Sequence, residues 1–378
     1  MRHRCVLLIP VSLCLMAQTP APEPAPAAPP LPDAFSWKRL QVSGYIDSFY
    51  DLNYNHPPSR LSQLQAFNFT ADKWSLASAT ASISSAPAPL GFRVDVGMGR
   101  VYDAFWLSEP SHDGWTRHLL NAYVSLKPAS WRGVQFDFGK FVTSAGAEVT
   151  ESHLNWNYSR SLLFAFGPYY HTGLRASVPV RERWTLGGAV VTGWNSMRDN
   201  NTGKTFGFTS TGSFGKVSIA NTYYTGPENT GTNQGWRNFY DSVVTVNAAS
   251  RVSMYFNFDA GNNRSAAVPS STFWGAAGAA RFAITRHFAL APRFEYYSDR
   301  DGFWTGAPNA FREFTLTAES KLNDNLISRL EFRKDWSREP FFQRGPAMAM
   351  ARHQTMLVGG VMIVLNPRLL DFSRPGGK

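Results

Sequence analysis

The residues whose spacing could do chemistry in this 378-residue chain are charged side chains set at every second position. Arg93 and Asp95, Asp137, Arg175, Arg293 and Glu295, Glu313, Glu319, and then Arg329, Glu331, Arg333 and Asp335 all fall at positions that alternate with a mainly apolar stripe. In an extended strand, successive side chains point to opposite faces. These charges therefore share the face opposite an apolar stripe. An Arg or Lys set against hydrocarbon at mid-membrane costs about 2–4 kcal/mol, so so many charges must meet water or one another. They could line an aqueous space, or plug it with their own salt bridges.

Enzymatic chemistry has weaker support. The chain has eight histidines, and His112 and His118 share one stretch with Asp113 as the nearby carboxylate. That spacing makes no metal cluster, and no cofactor is implied. His153 and His171, with neighbouring serines, could in principle serve a hydrolase, which needs its Ser/His pair held by a third group; their spacing does not require it. Neither a phosphate-binding glycine loop nor a nucleophile elbow is present. No catalytic residue is assigned, and an outer-membrane enzyme is the lesser alternative.

The elements that must position the charges are strands. From about Leu40 to Asn366 the two-residue alternation recurs in about sixteen segments. In Val252–Asp259 one face carries Val252, Met254, Phe256 and Phe258, and the other Ser253, Tyr255, Asn257 and Asp259. On this reading Asn257 faces water and Phe256 faces lipid. The connections alternate in length. Roughly 53–73, 106–118, 142–169, 195–204, 225–237, 261–271, 299–310 and 337–350 are long, whereas 84–91, 127–133, 179–183, 213–216, 249–250, 285–287 and 322–325 are short. Short periplasmic turns and long external loops are the asymmetry of an even-stranded outer-membrane barrel. The expected fold is all-β, a transmembrane antiparallel up-and-down β-barrel of about 16 strands, with 14–18 admissible. Sixteen strands leave room for an aqueous channel, where about eight would be filled by side chains. Pro292, mid-strand, predicts a bulge.

Composition agrees. Aromatic residues make up 14% of the chain, and Trp74, Trp106, Trp131, Trp184, Trp194, Trp274 and Trp336 fall near predicted strand ends, where interfacial girdles form. Removing Arg2 and Arg4 from the 37 basic residues leaves 35 against 27 acidic, a net +8. The charges are interspersed, with no basic stripe, so nucleic acid is not an expected partner. Residues 1–17 read as a secretory signal, with Arg2 and Arg4 before an apolar core. Cys5 and Cys14, the only two cysteines, lie within it. Residues 18–38 read as a Pro/Ala-rich periplasmic linker, 39–368 as the barrel and 369–378 as a tail.

The longest connection, 142–169, holds Glu148, Glu151, Asn157, Tyr158 and Arg160, then the apolar Leu162, Leu163, Phe164 and Phe166. A segment of this length in a compact domain is usually functional. It could fold into the barrel mouth as a constriction or pack over the rim. In the first case Glu148 and Glu151 would stand near the narrowest point, opposite Arg93 and Arg175.

Here the sequence also resembles a family. GKFVTSAGAEVTESHLNWNYSRSLLFAFGPYYHTGLRAS, from Gly139 to Ser177, looks like the signature of OmpL-like outer-membrane β-barrel porins. GYIDSFYDLNYN from Gly44 and TGPEN from Thr225 are similar to that family's first strand and a later loop. The resemblance implies a channel-forming protein of the bacterial outer membrane, and it supplies no catalytic residues. Its expected partners are outer-membrane lipid and lipopolysaccharide, small hydrophilic solutes and the barrel-assembly machinery; a homo-oligomer is admissible. A non-conducting structural or adhesive barrel is the other alternative. One departure is the end of the chain: many such barrels close on an aromatic residue, whereas here Phe372 lies six residues from the C-terminus.

Overall fold

The computed structural model describes residues 39–369, apart from 111–113, 115, 265–269 and 348. The segments read from the sequence as signal and linker, and the tail beyond Leu369, lie outside the described residues, as do His112 and Asp113. In chain order the strands are β1 (Leu40–Asn53), β2 (Lys73–Ser85), β3 (Leu90–Met98), β4 (Leu119–Leu126), β5 (Gln135–Val142) and β6 (Tyr170–Arg181). There follow β7 (Trp184–Val191), β8 (Thr205–Phe214), β9 (Val217–Pro227), β10 (Trp236–Ala249), β11 (Val252–Asn263) and β12 (Ser271–Ala283). The last are β13 (Phe288–Asp299), β14 (Asn309–Asn323), β15 (Leu326–Ser337), a small hairpin of β16 (Phe342–Arg344) and β17 (Ala349–Ala351), and β18 (His353–Leu369). All but the hairpin form one closed barrel of 16 strands, each antiparallel to its chain neighbour, with β18 sealing between β15 and β1. Closure removes every sheet edge, so the strands' backbone groups find their partners within the wall apart from local breaks, as a hydrocarbon surround requires.

The two faces separate as the alternation demands. Phe138, Phe256 and Phe294 point outward and are more than half exposed, while Asp137, Asn257 and Glu295, one position along, are buried inside. Trp74 at the end of β2 is 82% exposed and lies 5.0 Å, ring to ring, from Tyr50. Trp131 and Trp274 are also exposed near strand ends. Trp194 is not part of the girdle; it is buried against Phe239 and Trp304 inside the mouth.

Two local expectations are corrected. At Pro292 the β13–β14 register runs through without a shift, and the β12–β13 ladder breaks beside the proline and resumes in step. The missing N–H removes hydrogen bonding locally without inserting a residue. Bulges fall elsewhere, for example between Asp47 and Ser48 of β1. After β3 the chain does not stay extended towards residue 106: Gly99, at φ 118°, turns it into α1 (Arg100–Ser108). Burial of Val101, Tyr102 and Phe105 with Phe67 and Tyr170 holds this helix at the long-loop end of the barrel.

Candidate functional site

The connection between β5 and β6 enters the lumen and locks onto the wall. Residues 143–169 contain a 3₁₀ turn (Ser152–Leu154) and one turn of helix, α2 (Leu162–Ala165), whose first N–H groups are capped by Ser161 through a 2.9 Å bond from the Phe164 N–H. The rest is irregular, so its backbone groups need partners outside any ladder. The charged face of β13–β15 supplies them. Arg293 donates to the Ser159 carbonyl at 2.8 Å, Arg329 to those of Ser152 (2.7 Å) and Asn157 (3.1 Å), and Arg333 to that of Arg160 at 2.6 Å. Glu331 accepts the N–H groups of Tyr158 at 2.6 Å and Ser159 at 2.9 Å, and Glu295 accepts that of Leu162 at 2.8 Å.

Of the two arrangements that the alternation admits, water or one another, these wall charges take the second and do not face open water. Arg293, Glu295, Glu313, Glu331, Arg333 and Asp335 are essentially unexposed, and Glu319 and Arg329 nearly so. Arg293 is bracketed by Glu148 (2.7 Å), Glu295 (2.9 Å) and Glu313 (3.2 Å). Arg329 pairs with Glu319 at 2.7 Å, and Arg333 with Asp335 at 3.0 Å. A period-two pattern identifies a face but not what packs against it, so side chains expected to line a pore instead clamp a loop.

The loop candidates separate in the same way. Glu148 is buried; it accepts from Arg293 and from the Ser161 N–H, and it faces neither Arg93 nor Arg175. Glu151 does meet Arg93, at 3.5 Å. Asn157 donates to the Ala291 carbonyl (2.9 Å) and to Thr317 (2.8 Å). The Tyr158 hydroxyl donates to Asp47 at 2.8 Å, and Ser152 donates to the same carboxylate. Arg160 touches no wall carboxylate and staples the loop to itself, through the carbonyls of Val149, Tyr158 and Thr150 at 2.6–2.9 Å.

Sequence reasoning passed over two supports of this lock. The first is β18, whose segment Met356–Leu365 is apolar on both faces. Its inner side, with Met356, Val358, Met362 and Val364, packs with Phe49, Ile327 and Tyr158. A strand greasy on both sides, within a barrel that otherwise alternates, signals that something covers its inner face. The second is Gly360, where a β-carbon would lie 2.4–2.6 Å from the Tyr158 ring, so only glycine admits the tyrosine. The apolar half of the loop, Leu162 and Leu163, is buried with Phe239, Phe273, Tyr297, Phe311 and Phe342 near the mouth.

Away from β13–β15, inward side chains of β6–β9 such as Ser177, Thr209 and Thr211 keep partial exposure. Arg175 remains partly exposed above its buried partner Asp137, at 2.8 Å, as does Arg93 above Asp95 at 2.9 Å where the loop's Glu151 also reaches it. Arg175 also lies 4.4 Å over the Phe141 ring. His171 bonds the Gly193 carbonyl at 2.9 Å and lies tilted against the Tyr224 ring, 4.3 Å between centroids, while His153 packs on Tyr45. Burial, together with Arg329 and Arg160, pushes the His153 imidazole down to about 4, so it is neutral at neutral pH.

Many solved structures share this architecture at low identity, three of them as follows. The trimer form of in-vitro folded OmpT, an outer membrane protein of Vibrio cholerae, aligns with TM-score 0.58 at 11% identity over 86% of this chain and 98% of its own. The anion-selective porin from Comamonas acidovorans aligns with TM-score 0.56 at 9% identity over 86% and 99%. The outer membrane channel DcaP of Acinetobacter baumannii aligns with TM-score 0.56 at 8% identity over 86% and 97%. No curated protein matches in sequence. The family described as "Putative beta-barrel porin-2, OmpL-like" matches residues 39–365.

Proposed function

The chain belongs to the OmpL-like β-barrel porin family, and we propose that it forms a passive channel for small hydrophilic solutes in a bacterial outer membrane. One observation carries this reading: the inward loop, held from β9 round through β13–β15 to β3, leaves water-accessible side chains on the inner face of β6–β9 in a 16-strand barrel. Porins among the structurally similar proteins support it. The OmpT trimer supports association of copies of this chain, and lipopolysaccharide and the assembly machinery are the further partners proposed. The test is single-channel conductance of the refolded protein in a planar bilayer. A second reading, a non-conducting structural barrel, is favoured by how much of the lumen the locked loop fills. It predicts normal insertion without current.

Orientation is testable separately. The long connections 192–204 and 300–308 should be outside, and the two-residue turns at 182–183 and 324–325 in the periplasm. Epitope tags in the first pair should be reached on intact cells and tags in the second pair should not. The reverse pattern would invert the barrel.

Selectivity should depend on Glu151. Burial holds its carboxyl above the ordinary glutamate range, so acidification neutralises it earlier than an exposed glutamate. Its lost charge leaves Arg93 opposed by Asp95 alone. Lowering the pH from neutral should therefore move the reversal potential in a salt gradient towards anions. Glu151→Gln should show that shift already at neutral pH and lose the pH step; an identical pH response in both would place the effect on another group.

A further inference from the structure

Two adjoining spaces along the inner face of β6–β9 have a lining unlike that of the clamped side. We propose that they form the solute route, and that the route favours uncharged polyhydroxylated solutes. This rests on the channel reading above and adds the path and the solute class. One space, of about 410 Å³, is lined by Thr185, Thr211, Ser213 and Ser218 alongside the apolar Ala220 and Val243. The other, of about 290 Å³, is lined by Ser177 and Thr209, with the Arg175–Asp137 pair at its wall. Thr209 and Thr211 are successive inward positions on β8, about 6.6 Å apart along a strand, so the two spaces meet there.

The chemistry follows from what these side chains carry. A hydroxyl both donates and accepts, so it can replace either role of the water around a sugar hydroxyl. It carries no net charge and gives no Coulombic preference to an ion. The charged groups of each space come as one acid and one base: Asp137 with Arg175, and Glu182 with Arg183. Successive hydroxyl pairs two residues apart offer many weak sites in series, and conduction needs binding that is weak and repeated rather than deep. On the clamped side, buried ion pairs and the loop occupy the corresponding space.

The described barrel contains no cysteine, which makes the route measurable. In the full chain with Cys5 and Cys14 replaced by serine, Thr209→Cys and Thr211→Cys should each lose conductance when a trimethylammonium methanethiosulfonate is added to an open channel. Val358→Cys and Met362→Cys, on the loop-covered inner face of β18, should not respond. Proteoliposomes should swell faster in arabinose than in its carboxylate counterpart, sodium arabinonate. Thr209→Val with Thr211→Val should slow arabinose about three- to tenfold, the effect of roughly one lost hydrogen bond, while potassium chloride conductance stays near that of the parent. Absence of any current in the parent would refute the channel reading itself. A current blocked through position 358 or 362 but not 209 or 211 would overturn the route. A current routed as proposed, but with equal swelling in both solutes or no slowing in the valine pair, would overturn the solute class.

Discussion

Replacing Arg293 with methionine should cost about 3–5 kcal/mol of stability and release the inward loop, because removing one partner of a buried ion pair leaves its opposite charges uncompensated. Three carboxylates, those of Glu148, Glu295 and Glu313, lie within 3.2 Å of this one guanidinium, and none of them is appreciably exposed. The same change removes the donor to the Ser159 carbonyl. The comparison is Arg175→Met, which also breaks an ion pair but one whose arginine is 28% exposed; screening there limits the loss to about 1 kcal/mol or less. Urea unfolding of the refolded proteins measures the difference, and protease cleavage within 143–169 reports release of the loop. Equal losses for the two variants, or an uncleaved loop in the Arg293 variant, would show that the wall does not hold the loop in place.

Phe256→Arg should impair insertion, at a cost of about 2–4 kcal/mol for a charge against hydrocarbon. Phe256 points outward from the middle of β11 and is 57% exposed. The matching lumen-side substitution cannot be at Asn257, despite its inward position. Asn257 is buried, donates to Asp241 (2.7 Å) and Asp259 (3.0 Å), and accepts the Ala147 N–H of the loop at 3.0 Å. Ser253, two inward positions nearer the short-turn end, is half-buried beside solvent, where its hydroxyl meets Asn247. Ser253→Arg should therefore assemble normally. Heat-modifiable migration of outer-membrane fractions distinguishes the two, and equal assembly would void the assignment of faces on β11.

The sequence by itself determined the wall. Strand number, antiparallel order, the alternation of long and short connections and the face of each charge all follow from a period of two and from turn placement. Those are local properties, readable within about ten residues. The sequence also isolated the loop, because a segment as long as 142–169 stands out against its neighbours, and its apolar second half required burial. Even the covered wall left a trace, in the double-sided apolar run from Met356 to Leu365.

Only the tertiary structure decided what the inward face meets. Tyr158 and Glu331, joined by one hydrogen bond, are 173 residues apart in the chain, and Arg293 lies 145 from Glu148. No local periodicity encodes such a contact. Whether Arg333 meets water and Glu148 meets Arg175 depends on where the loop descends. The irregular loop backbone must satisfy its N–H and C=O groups inside the lumen, and the charges of β13–β15 do so. Alternation could place those charges inward; only packing could show that they hold a loop.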